Sequence, residues 1–272
     1  MATTLLKGAF KKVFKILKPE KKVISWIQEK VIKHQTYGQT NSFNYNGHPV
    51  YYMSPGEFLH AADEIFEREI YKINFNNPEP IIIDCGANIG MSVVYFKKIA
   101  PNARIIAYEP DTVNFKFLDI NTAHLSKVKN VQAALWINNE NLEFEDVSAQ
   151  GSKIAPSTIL SDKKIKIVAG VRLKDVLESE QHIDLLKVDI EGAEYEVIKD
   201  CKDALQNIDN IFLEYHGTFS DQFKLIELLQ IVNNAGFNYH ITAATETFKH
   251  PFILDKKDAY YDQQLNIFCT KK

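Results

Sequence analysis

The sequence predicts an α/β protein whose core is a doubly wound, mainly parallel sheet. Two observations carry that expectation. From Ile81 onward, short apolar runs alternate with amphipathic segments, and the runs are near-continuously apolar, as expected of strands covered by helices on both faces. With 272 residues, 45% of them hydrophobic and 25% charged, the chain can also bury an ordinary core.

Taken in order, PIIIDCG is a strand followed by a helix over 91–100, and ARIIAYEP is a strand followed by a helix over 111–123. VKNVQAALW reads as a third strand. Near residues 137–170 the runs LEFEDV and KIKIVAG alternate in a way that suggests an inserted hairpin or small meander. IDLLKVD then leads to a helix from Glu194 to Cys201, and NIFLEYHG to one from Gln222 to Ala235. NYHITAA and QLNIFCT close the sheet. The polar stretch between them has no helical period, so an antiparallel pair is expected. Residues 1–75 form a mainly helical N-terminal extension with a short hairpin near FNYNGHPVYYM, and 76–272 form the sheet domain.

The N-terminal stretch LLKGAFKKVFKILKPEKK sets Leu6, Phe10, Val13, Phe14 and Leu17 at helical spacing among lysines. This is a basic amphipathic helix, too often interrupted for a membrane span and without the features of a signal peptide. A cytoplasmic chain is expected. The helix either packs on its own domain or a second subunit, or makes peripheral contact with an anionic membrane surface. Cys85, Cys201 and Cys269 are far apart in apolar surroundings, so neither a disulfide frame nor a zinc site is expected. A net charge of −3 gives no general attraction for nucleic acid.

The turn IIIDCGANIG occupies the place where a doubly wound sheet binds its ligand. Gly86 and Gly90 let the backbone bend and approach closely. Asn88 breaks the G-x-G-x-x-G of a dinucleotide fold, and no G-K-[ST] follows to make a P-loop. Asp84 at the strand tip would repel phosphate and attract a cationic ligand end. Glu109, at the tip of the next strand, stands near the spacing of a ribose-binding acid. A ligand with a ribose in its middle, a cationic end and no phosphate is S-adenosyl-L-methionine. A NAD-type Rossmann oxidoreductase and a non-catalytic cofactor-binding module are the alternatives.

Two further strand tips carry chemistry. Lys187 and Asp189 share a face of a strand that ought to be apolar, so they must pair, reach the crevice, or both. Glu194, at a helix start, is assigned to capping. Glu214 and His216 share a face of the next strand. Methyl transfer from a sulfonium needs the two reactants aligned and a group to take the proton that the nucleophile loses. His216 is the first choice of base and Asp189 the second, with Lys187 kept in the catalytic set. The same side chains could hold a divalent cation, but the spacing is not distinctive and no metal ligands are assigned.

The pieces IIIDCGANIGMSVVYF, AYEPD, VRLKDVL, LLKVDIEGAEYEVI and IFLEYHG occur in this order, over roughly residues 66–220, and together resemble the FkbM-type S-adenosylmethionine-dependent methyltransferases. The resemblance implies a class I methyltransferase fold with seven strands, the last antiparallel, and O-methylation of a hydroxyl on a sugar, glycan or natural-product acceptor. It assigns Asp84, Gly86, Asn88 and Gly90 to the cofactor loop and Glu109 to the ribose; Ala87, within that loop, and Asp189, at the adjacent strand tip, are expected to bind the cofactor with them. Acceptor identity falls outside the matching pieces.

Overall fold

The computed structural model describes residues 22–145, 153–154, 165–257 and 259–271. The basic helix expected from Leu6 to Leu17 lies outside the described residues. The chain forms two compact units, Met1–Ile70 and Tyr71–Lys272.

In the first unit, helix α1 (Trp26–Lys33) begins at Ser25, whose hydroxyl accepts the Gln28 N–H while the Gln28 side chain accepts the Ser25 N–H. This reciprocal cap satisfies two donors that a helix start leaves open. Strands β1 (Asn41–Tyr45) and β2 (His48–Tyr52) pair antiparallel around Asn46-Gly47. Both turn residues have positive φ, 51° and 89°, as the tight hairpin turn matching strand twist requires. Helix α2 (Pro55–Ala62) starts on Ser54 with proline in its first turn and runs into a π-helical segment over Asp63–Glu67.

The second unit is built on a seven-stranded sheet. Its elements are β3 (Ile81–Cys85), α3 (Met91–Ile99), β4 (Arg104–Tyr108), α4 (Thr112–Thr122), β5 (Val128–Val131), β6 (Ala134–Trp136), β7 (Leu142–Glu145), β8 (Lys153–Ile154), β9 (Ile165–Val168), β10 (Gly170–Arg172), α5 (Leu173–Glu178), β11 (Leu185–Val188), α6 (Glu194–Asp200), β12 (Asn210–Gly217), α7 (Gln222–Asn234), β13 (Phe237–Ala243) and β14 (Gln263–Lys271). The strand order is β13-β14-β12-β11-β3-β4-β5. β14 runs antiparallel to both neighbours, and the pairs from β12 to β5 are parallel. From β3 the chain winds outward through β4 to β5, then returns to β11 on the other side of β3. That reversal opens a crevice at the carboxyl ends of β3 and β11. Ile83, Leu186, Val188, Leu213 and Ile267 are fully buried beneath it.

One strand expectation is corrected. VKNVQAALW is two strands: β5 belongs to the large sheet, whereas β6 leaves it and pairs parallel with β10. The break is a tight turn in which Ala133 N–H donates to the Val131 carbonyl at 3.1 Å. It contains neither glycine nor proline. Residues 142–168 include a three-stranded antiparallel sheet of order β8-β7-β9.

At the opposite, amino end of β4, the Arg104 guanidinium forks onto both oxygens of Glu180. Arg104 is 41% exposed, so solvent screens much of the attraction. Arg104→Ala should lower unfolding free energy by about 1 kcal/mol, read as a small shift of the urea midpoint.

Candidate functional site

The crevice is formed by four strand tips, and the first question is what holds β3 and β11 together there. Asp84 is fully buried and Lys187 is 2% exposed. The Lys187 ammonium lies 3.1 Å from Asp84 Oδ1 and 3.4 Å from Asp189 Oδ2, and donates to the Gly86 carbonyl at 2.9 Å. Ser92 donates its hydroxyl to the other Asp84 oxygen. Burial works against the ammonium charge, but Asp84 foremost outweighs it and holds the Lys187 pKa well above its ordinary value. The cation that Asp84 meets in this structure is Lys187, and Lys187 in turn ties the loop down through the Gly86 carbonyl. The pair had to be buried because parallel pairing sets Lys187 beside Asp84 across two covered strands.

The loop after β3 is turned by residues with positive φ: Gly86 at 86°, Asn88 at 48° and Gly90 at 88°. At Gly86 the need for glycine is absolute, because a Cβ would fall 1.8 Å from the Asp189 carbonyl oxygen. The close approach locks the loop against the tip of β11. Gly86 and Ala87 both donate to the Tyr108 carbonyl at the end of β4. Asn88 N–H donates to Glu109 Oε2 at 2.9 Å, and Asp111 N–H to Glu109 Oε1 at 2.9 Å. Asn121, from α4, donates to the Ile89 carbonyl at 2.8 Å, a support the sequence reading did not identify.

Glu109 is 6% exposed. Burial pushes its pKa up to about 7 against the opposing pull of the two backbone N–H groups. Each oxygen accepts one of those N–H bonds, so each keeps a lone pair for a further donor. This pair of acceptors fits a ribose diol. It does not fit a pyrophosphate, since the ammonium that reaches this loop is already engaged by two carboxylates.

At the tips of β11 and β12 the structure brings together Asp189, Glu214 and His216, with ligating atoms within 4.8 Å of one another. Asp189 remains 25% exposed. The His216 side chain is 2% exposed, and its Nδ1 lies 3.2 Å from Glu194 Oε1. Nε2 lies 3.6 Å from Glu214 and 3.9 Å from Glu191, beyond hydrogen-bond distance. Burial alone would strip the proton from this imidazole, but Glu194, then Glu191 and Asp189, reverse the effect and raise its pKa to about 10. The carboxylates around His216 thus favour its protonated form, which argues against it as the first choice of general base.

Glu194 does more than cap. Its fully buried carboxylate accepts the N–H groups of Ile190 and Gly192 and so fixes the turn in which Glu191 has φ 57°. Tyr261 completes the wall. Its hydroxyl donates to the Glu191 carbonyl at 2.6 Å and its ring centroid lies 5.0 Å from that of His216. Nothing in the polar stretch before β14 marks Tyr261 as a site residue.

A sheet with only β14 reversed, a glycine-turned loop after its first central strand and a buried acid after the next define a class I methyltransferase. The Methyltransferase FkbM domain matches residues 84–239. The chain is similar to Methyltransferase sdnD of Sordaria araneosa, 32% identical over 55% of this chain and 71% of that protein. It is similar to 2-O-methyltransferase NoeI of Sinorhizobium fredii at 27% identity, over 51% of this chain and 64% of the relative. Hexuronic acid methyltransferase AglP of Haloferax volcanii is 26% identical over 56% and 63%. The chain belongs to the FkbM methyltransferase family, whose methyl donor is S-adenosylmethionine. This sets aside the oxidoreductase alternative.

Proposed function

We propose that the protein transfers a methyl group from S-adenosylmethionine to a hydroxyl of a sugar-containing acceptor. The observation that carries this reading is the adjacency, across β3 and β11, of a diol-accepting carboxylate and loop with an acidic wall at the neighbouring tips. Bound there, S-adenosylmethionine supplies an electrophilic methyl carbon on a sulfonium. Glu109 would accept the ribose hydroxyls, and Gly86, Ala87, Asn88 and Gly90 would give the backbone room beside the nucleoside. Asp189, at the tip next to Gly86, faces the cationic end.

In the transfer, the acceptor oxygen's lone pair forms the new C–O bond as the C–S electrons leave with sulfur, and the hydroxyl proton must depart. The carboxylate of Asp189 or Glu214, at the neighbouring tips, would accept that proton. Holding the two reactants in line supplies about 7–11 kcal/mol of the barrier reduction. His216 is a positioning residue, keeping Glu194 and Glu191 around the β11 turn.

The names of two relatives, a 2-O-methyltransferase and a hexuronic acid methyltransferase, support an oxygen acceptor on a sugar. The test is incubation with methyl-labelled cofactor and a panel of free sugars, uronic acids and glycosides. Base-stable label in a glycoside or sugar is expected, because an ether survives mild alkali. Base-labile label on a uronic acid alone would replace the hydroxyl reading by carboxyl methylation, and label confined to non-sugar acceptors would remove the sugar.

A further inference from the structure

We propose that Asp189, Glu214 and His216 Nε2 form a site for a divalent cation of the Mn²⁺ and Mg²⁺ class, at the acceptor side of the crevice. The proposal deepens the methyl-transfer reading and rests on it for its role, though not for its geometry.

Three observations converge. The ligating atoms of these residues lie within 4.8 Å of one another, whereas ligands about one ion with bonds of roughly 2.1 Å lie up to about 4.2 Å apart. Side-chain shifts below an ångström close the difference. His216 Nε2 belongs to an almost fully buried ring and points between carboxylates without reaching hydrogen-bond distance of Glu214 at 3.6 Å or Glu191 at 3.9 Å. Its other nitrogen faces the buried Glu194 carboxylate at 3.2 Å, the arrangement by which proteins orient a metal-binding imidazole and raise its basicity.

The charge balance points the same way. Asp189, Glu191, Glu194 and Glu214 surround a single imidazole, and the one neighbouring ammonium, Lys187, is shared between the buried Asp84 and Asp189. A divalent ion bound to Nε2 there meets two carboxylates. Two carboxylate ligands and one imidazole suit Mn²⁺ or Mg²⁺ better than a thiolate-seeking metal. Beside the cofactor loop, such an ion would orient the acceptor hydroxyl and lower its pKa, so that its proton leaves to water.

A second group, His182, Asp184 and Asp209, also lies close together but is otherwise occupied. Asp184 accepts the Ile81 N–H and the Asn77 amide, and His182 already bridges Asp184 and Asp209. It therefore serves as the control.

The test is titration of the chelator-treated, desalted full chain with Mn²⁺, following loss of the free-ion paramagnetic resonance signal. One ion per chain is expected, displaced by Mg²⁺. Glu214→Gln and Asp189→Asn should each raise the dissociation constant at least tenfold, Glu194→Gln should raise it roughly 10- to 100-fold, and Asp209→Asn should leave it unchanged. Circular dichroism of each variant separates lost binding from lost folding, and Glu214→Gln, whose side chain is partly exposed, provides the variant least dependent on folding. No Mn²⁺ uptake by the folded chain, or uptake unaffected by Glu214→Gln and abolished by Asp209→Asn, overturns the proposal. Cofactor affinity measured in chelator keeps the two readings apart: cofactor binding without Mn²⁺ uptake defeats the metal site alone.

Discussion

Replacing Lys187 by alanine is expected to destabilise the sheet unit by about 3–5 kcal/mol, the cost of leaving a buried charge without its partner. The alanine would strand Asp84, which is fully buried and retains only the Ser92 hydroxyl, and would release the Gly86 carbonyl. A loss of that size consumes much of an ordinary domain's stability of about 5–15 kcal/mol. Urea unfolding followed by circular dichroism should show the midpoint fall sharply, or no cooperative transition at all. Pairing Lys187→Met with Asp84→Asn removes both charges, so it should recover part of the loss. A single variant within about 1 kcal/mol of the parent would mean that Asp84 finds solvent or protonates at little cost, and that the pair does not hold the crevice together.

The second large effect concerns Glu109. Glu109→Ala should weaken S-adenosylmethionine binding by about 2–4 kcal/mol through loss of charge-assisted hydrogen bonds to the ribose, with the fold largely retained. The pH dependence has a definite sign. Burial raises the folded-state pKa of this carboxyl from 4.5 to about 7, with Asp111 adding a small push and the two backbone N–H groups and Lys187 opposing it. The folded protein thus holds this proton more tightly than the unfolded chain does. Glu109 favours folding below pH about 4.5, and that contribution fades as pH rises through about 7. Ribose hydroxyls donate best to the ionised form, so affinity should fall as pH drops below about 7 and level off above it. Glu109→Gln should flatten that profile. Unchanged affinity in Glu109→Ala, or a flat profile in the parent protein, would remove Glu109 from the site.

Much of the sheet is legible in the sequence because its strands are covered on both faces, and stretches such as Ile81–Ile83 and Ile211–Leu213 set apolar side chains on both of them. The departure of β6 is not legible, because the apolar run VKNVQAALW passes straight through the Val131–Ala133 turn without a glycine or proline to mark it. The glycine-turned loop and the buried Glu109 are legible for a different reason: the turn glycines and the acid are tied to strand ends by short spacings. The chemistry of Lys187 and His216 depends instead on partners from other elements. Lys187 finds Asp84 across the parallel pair β3–β11, and His216 finds Glu194 at the start of α6. Each partner can be named only when register is known.

We propose that this crevice holds S-adenosylmethionine through the loop after β3 and Glu109. Calorimetric titration of the full chain with S-adenosylmethionine, its demethylated product and NAD tests it most directly. Saturable binding of the first two, weakened by Glu109→Ala, with no heat from NAD, is the expected result; binding of NAD with no response to either methionine-derived ligand would contradict it.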